Sequence, residues 1–104
     1  MNDVPTTIEK VKALNKRKGG YFFSPGAMRG FDSRIEKEVY PAAKRTYFVT
    51  SEQFHGSQDD GPRLWTVRYI RADNGDIGTI GEFQEFTTAA DAHAAAAACQ
   101  EEDS

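Results

Sequence analysis

The sequence predicts an α+β domain: an N-terminal helix, a short second helix, an antiparallel sheet of three to four strands, and a C-terminal Ala-rich helix packed on the sheet. Three observations carry that expectation. Residues with helical spacing, Ile8, Val11 and Leu14 at one end and the alanines after Thr88 at the other, bracket the chain. Between them Thr46 to Phe54 and Arg63 to Arg71 are rich in β-branched and aromatic residues, which suit a pleated, half-buried surface. Turn formers separate these runs, and Asn74-Gly75 is the sharpest of them. At 104 residues the chain has the size of one domain, and dividing it would leave pieces too small to bury adequate cores. The ordered core is expected over about residues 6–99, with both ends frayed.

Taken in order, Thr6-Thr7-Ile8-Glu9 has the capping-box form that opens a helix. Lys16-Arg17-Lys18 sits where a helix dipole favours cations, and Gly19-Gly20 ends the helix. Ser24-Pro25 supplies a start for the short second helix, ending near Phe31. From Ser33 to Tyr40 the period becomes two, as in an edge strand with charged outward residues, and Pro41 closes it. The two β-rich runs make a hairpin around an eight-residue polar loop, His55 to Pro62. Trp65, Val67 and Tyr69 take one face of the second run, and Leu64, Thr66, Arg68 and Ile70 take the other. Asn74-Gly75 then predicts a type I′ turn into a strand from Ile77 to Phe86, where Gly78 and Gly81 mark a bulge or a close approach. Thr88 caps a last helix to about Cys99, whose flat alanine face lies against the sheet. Helices gathered on one side of the sheet satisfy these pieces.

Composition excludes several classes. One cysteine, Cys99, cannot build a disulfide framework or a multi-cysteine zinc site. No apolar run is long enough to cross a bilayer as a helix, and a lone cysteine suits a reducing compartment, so the expected location is the cytoplasm. The net charge of −3 hides an asymmetry: residues 1–45 carry ten Lys/Arg against five Asp/Glu, and residues 46–104 carry three against eleven. Such polarity guides association with a charged partner, although interleaving on the folded surface would cancel it.

Chemistry finds little to build on. His55, His93 and Cys99 are the only soft ligands, and His93 and Cys99 stand six positions apart on one helix, off a common face. Asp59-Asp60-Gly61 and Asp73-Asn74-Gly75-Asp76 lack the spaced donors of a calcium loop. Ser24, Cys99, and His55 with Asp59 or Asp60 fit no nucleophile pattern, and Gly26 to Gly30 lacks the spacing of a phosphate loop. The expectation is a protein without catalytic, cofactor or metal residues.

Binding is the remaining class. Lys16 to Phe31 interleaves cations, glycines and aromatics, as single-stranded nucleic acid requires, while the plainer reading buries the aromatics as core. A nucleic-acid surface would use Lys16, Arg17, Lys18, Tyr21, Arg29, Lys44 and Arg45. A protein partner would meet the acidic loops instead, at Asp59, Asp60, Asp73, Asp76, Glu82 and Glu85, together with Arg29 and Arg34. A homodimer through the edge strand Ser33 to Tyr40, or through an uncovered sheet face, is a third arrangement.

Tyr21-Phe22-Phe23-Ser24, Met28-Arg29, Phe31-Asp32-Ser33-Arg34-Ile35, Tyr47 to Phe54, Trp65-Thr66-Val67-Arg68 and Gly81-Glu82-Phe83-Gln84 resemble small uncharacterised proteins of bacteriophages and other mobile elements, over most of residues 19–98. The resemblance implies origin more than activity, and it transfers no catalytic residue. It implies an accessory protein that acts by binding, with a protein partner as the leading expectation, such as a host defence complex of the CRISPR kind. Nucleic acid is the alternative.

Overall fold

The computed structural model describes residues 4–20, 34–55 and 60–103, without the side chains of residues 54, 55 and 60. Among these residues the order is α1 (Ile8–Arg17), β1 (Arg34–Pro41), β2 (Arg45–His55), β3 (Asp60–Arg71), β4 (Ile77–Ile80) and α2 (Ala89–Asp103). The strands form one antiparallel meander in the order β1-β2-β3-β4. The expected short helix from Ser24 to Phe31 lies outside the described residues.

Helix α1 begins one residue later than a Thr6–Glu9 box would place it. Thr7 is the cap, and its hydroxyl accepts from the Lys10 amide at 3.2 Å. The third helical position is therefore Lys10, which cannot reach back as Glu would. At the other end Gly20 N–H donates to the Asn15 carbonyl and Gly19 N–H to that of Lys16, the paired bonds of a Schellman stop. Gly19 takes the left-handed φ of +87° that this stop needs.

The sheet buries both of its faces. Tyr47, Val49 and Val67 point to one side and pack with Ala92 and Ala96 of α2. Phe48 and Ile70 point to the other and pack with Ile8, Val11 and Leu14 of α1. The two helices thus lie on opposite sides, which corrects the expectation of helices gathered on one. The reason is the alternation of β2 and β3: both strands carry large apolar groups at odd and at even positions, and a period of two sends these to opposite faces. Full burial of one such side chain stabilises by about 1.5–3 kcal/mol, so neither face is cheaply left wet.

Three further expectations change. The last strand, expected to run to Phe86, stops at Ile80 and rejoins β3 only at the isolated Trp65↔Phe86 bridge. The β2–β3 hairpin is longer than predicted, because pairing continues through Gln53↔Arg63 and, after a register shift, to His55↔Asp60. The ladder thus includes residues that the expected eight-residue loop contained, and residues 56–59 between its ends lie outside the described residues. In the β3–β4 turn only Gly75 is left-handed, at φ +70°, and Asn74 is not, so the turn is not type I′. Instead Arg71 N–H donates to the Asp76 carbonyl and Gly75 N–H to that of Arg71. Asn15 of α1 donates its side-chain amide to the Gly75 carbonyl at 3.0 Å, which ties this wider turn to the helix.

Helix α2 is capped by the Thr88 hydroxyl, which accepts from the Asp91 amide. It runs past Cys99 to Asp103. Its end is tied down: Gln100 donates to the Pro41 carbonyl at 2.7 Å, and Asp103 accepts from Tyr47 at 3.0 Å. Ala92 and Ala96 have no exposed surface, so their small side chains let the helix approach the sheet. Ala96→Leu should lower the free energy of unfolding by about 1–3 kcal/mol through overpacking, while Ala94→Leu, on the exposed side, should leave it nearly unchanged. Denaturant midpoints of the two variants test this, and equal midpoints would contradict the close alanine contact.

Candidate functional site

On the α1 side of the sheet, beyond the helix, lies a buried polar cluster. The Glu52 carboxylate accepts from the hydroxyls of Thr50 (2.8 Å) and Thr66 (3.3 Å) and faces the Arg68 guanidinium at 3.4 Å. Arg68 also donates to Thr50 at 2.8 Å and to Thr79 at 3.0 Å. Only 4% of the Glu52 side chain and 13% of that of Arg68 is exposed. Burial pulls the Arg68 pKa below its usual value, and Glu52 opposes that shift.

A bulge places a roof beside this cluster. Between the pairs Val67↔Ile80 and Trp65↔Phe86, β3 has Thr66 alone while the opposing chain has residues 81–85. Gly81 and Gln84 turn the backbone with φ of +73° and +59°. The Gln84 amide then donates to the Thr66 hydroxyl at 2.8 Å, and the Phe83 ring lies 5.6 Å from the Arg68 guanidinium carbon. Every buried side-chain nitrogen and oxygen among the described residues has a partner, so this arrangement is a closed structural unit.

The other group is open. On the α2 side, at the end of the sheet holding the β1–β2 and β3–β4 turns, Arg45 stands directly opposite Arg71 and Tyr47 opposite Tyr69. The Arg45 guanidinium carbon is 5.1 Å from the Tyr69 ring centre and 5.8 Å from that of Tyr47, within cation–π range. Arg45 pairs with Asp103 at 3.2 Å, and Arg71 with Asp73 at 2.9 Å. Lys44, Arg45, Tyr69, Arg71 and Asp73 line a cleft of about 580 Å³. Burial first, and then the hydrogen bond to Asp103, pushes the Tyr47 phenol up to about 12, while Arg45 acts in the opposite sense.

Helix α1 brings more cations to the same end. Lys18 packs against Gly75, where a Cβ would lie 2.8 Å from the Cβ of Lys18, and the Ala72 amide donates to the Lys44 carbonyl. Lys10, Lys12, Lys16 and Arg17 of α1 are all exposed, with Glu9 as the one acid of that helix. Helix α2, across the sheet, carries Asp91, Glu101, Glu102 and Asp103 and no Lys or Arg. The charge asymmetry of the sequence is therefore segregated, one helix to each face.

Of the residues named for nucleic acid, Lys16, Arg17, Lys18, Lys44 and Arg45 come to one end of the sheet, and Tyr21 and Arg29 lie outside the described residues. The set named for a protein partner is dispersed. Asp73 and Asp76 flank the β3–β4 turn, Glu82 and Glu85 lie beside Thr66, and Asp60 starts β3. At about 3.3 Å per residue along β3, these stations are spread over roughly 35 Å. Arg34 pairs in register with Ser51 at the far end of β1, and Arg29 and Asp59 lie outside the described residues.

Tyr69 and Arg71, and the Glu52–Arg68 pair, were not singled out from the sequence. Their signal is the register, which puts 45 opposite 71 and leaves 52 and 68 on one face. Cys99 is half-buried, and burial raises its thiol, as does nearby Glu102. His93 Nδ1 lies 2.8 Å from the Tyr40 hydroxyl. Among the described residues no three of His, Cys, Asp and Glu gather as a metal site.

Residues 7–97 match the model of a family of unknown function (DUF7447), and the chain belongs to that family. No curated protein and no solved structure matches it.

Removing one partner of the buried pair leaves an uncompensated charge, so Glu52→Gln should cost about 3–5 kcal/mol of stability, part of which Glu52→Gln with Arg68→Met should restore. Equal losses in the single and double variants, measured by urea unfolding, would contradict the coupling. For Tyr47 the fold holds the neutral phenol, so its contribution is complete below the usual pKa of 10 and is lost as pH rises toward about 12. Tyr47→Phe should flatten the decline of stability over that alkaline range, and an unchanged pH profile would show that the phenol is not held there.

Proposed function

We propose that this member of DUF7447 is a non-enzymatic binding protein for single-stranded nucleic acid, reading the strand with the cationic end of its sheet. The observation that carries this is convergence. Three separate stretches of chain bring cations to the end of the sheet that holds the two turns: the end of α1 on one face, where Lys18 packs against Gly75, and Lys44, Arg45 and Arg71 around the cleft beside Tyr69. Cations neutralise phosphates and release counterions, and an aromatic ring accepts an unpaired base without regard to its identity. The acidic candidates have no such meeting point.

A second reading is favoured by α2. Its exposed positions are acids and alanines, a shape and charge suited to a basic groove on a protein. A phage-type accessory protein that inhibits a host defence complex, such as a CRISPR effector, would act in this way. Reversing Asp91, Glu101 and Glu102 to lysine separates the readings, because it abolishes a contact made by α2 and leaves binding at the cationic end intact or stronger.

Anisotropy of a labelled single-stranded oligonucleotide tests the first reading. Binding should weaken as salt rises from about 50 to about 200 mM, with a logarithmic slope of about −0.7 for each phosphate neutralised. Replacing Lys16, Arg17 and Lys18 together by Gln should weaken it about tenfold or more at low salt and make that slope shallower. Absence of binding to DNA and RNA at low salt would remove the proposal.

A further inference from the structure

Building on the nucleic-acid reading, we infer that the cleft between the two turns is a subsite for one phosphorylated nucleotide, free or carried in a strand. Arg45 and Arg71 hold the phosphate, and Tyr69 flanks the base.

The arginine pair is the first argument. Residues directly opposite in an antiparallel ladder share a face, and like charges there oppose each other. Arg45 and Arg71 are such a pair. The acids that moderate the repulsion are not part of the ladder: Asp103 comes from the end of α2 and Asp73 from the turn. These ion pairs are open to water, with side chains 38% and 30% exposed in one and 51% and 53% in the other. Exposed pairs of this kind are weak, and a phosphate offers both guanidiniums stronger, charge-assisted bonds. Two cationic side chains rooted at directly opposite ladder positions and lining one cleft are poised for an anion of more than one charge.

The ring supplies the second argument. Tyr69 lies across Gly78, its partner on β4, so closely that a Cβ at Gly78 would run into the ring. With Arg45 at 5.1 Å from its centre, the ring is fixed before any ligand arrives, which lowers the ordering cost of binding. Size is the third. About 580 Å³ is far more than a phosphate needs and falls within the range of small-ligand sites, so a nucleotide is the natural occupant. The amide of Ala72 bonds the Lys44 carbonyl, which keeps the two turns that form the rim together.

Calorimetric titration of the whole protein with adenosine monophosphate, adenosine and inorganic phosphate tests the assignment. The monophosphate should bind about tenfold or more tightly than either fragment, and Arg71→Ala should weaken it about tenfold. The Arg71 side chain is half exposed, so this variant should fold, and circular dichroism checks that it does. Asp73→Asn, which removes the competing carboxylate, should bind the monophosphate as well as the parent or more tightly. A monophosphate bound no better than phosphate, or bound equally by Arg71→Ala, would overturn the subsite. If an oligonucleotide binds while the monophosphate does not, the cleft assignment fails and the nucleic-acid reading survives. If the monophosphate binds in an Arg71-dependent way while no oligonucleotide does, the cleft stands and that broader reading fails.

Discussion

β2 and β3 bring apolar side chains to both faces of the sheet. Phe48 and Ile70 on one side, and Tyr47, Val49 and Val67 on the other, are all nearly or wholly buried. A single layer of cover would leave one set in water, so the helices divide between the faces, α1 beneath and α2 above. Much else follows from that division. Cations concentrated in α1 and acids concentrated in α2 end on opposite surfaces instead of cancelling, and the protein acquires an electrical polarity that its net charge of −3 does not suggest.

Where α1 stops, the same face becomes polar, and the solution there is a closed network. Glu52 and Arg68 sit diagonally across the Thr50↔Thr66 pair, so their bonds connect β2 to β3 at a definite alignment. A slip of β3 by one residue would turn Arg68 to the α2 side, against the alanines, and leave Glu52 without its partner. Buried ion pairs seldom add net stability over apolar packing, and their value here is better understood as fixing register. The same register sets Arg45 opposite Arg71 and Tyr47 opposite Tyr69, so the polar cluster on the α1 face supports the geometry of the cleft on the α2 face at the other end of the sheet.

The elements of the fold were legible where local physics decides. The Ile8-Val11-Leu14 stripe, the Gly19-Gly20 stop and the alternation of residues 64–70 each state a structure within a few residues. The helices' division was harder to see because a stripe says that a helix buries one side and not which surface receives it. Asn74-Gly75 misled for a tertiary reason: Asn15 and Lys18 of α1 hold Gly75 from outside the hairpin, and a wider turn results. The bulge at residues 81–85 was marked by Gly81, but Gln84, an ordinary residue with left-handed backbone, gave no such sign. Half of the cleft was visible in Lys44 and Arg45. Arg71 and Tyr69 were not, because they gain meaning only from a register fixed across the β2–β3 hairpin.

A coherent picture joins these features: a sheet covered on both sides, a cationic end made from three chain segments, and an arginine–tyrosine cleft opening there. Amide chemical-shift mapping during titration with a single-stranded oligonucleotide tests it most directly. The account predicts perturbations confined to residues 16–18, 44–45 and 69–73, with Asp91 to Ala98 of α2 unmoved. Perturbations centred on α2, or none at any residue, would contradict it.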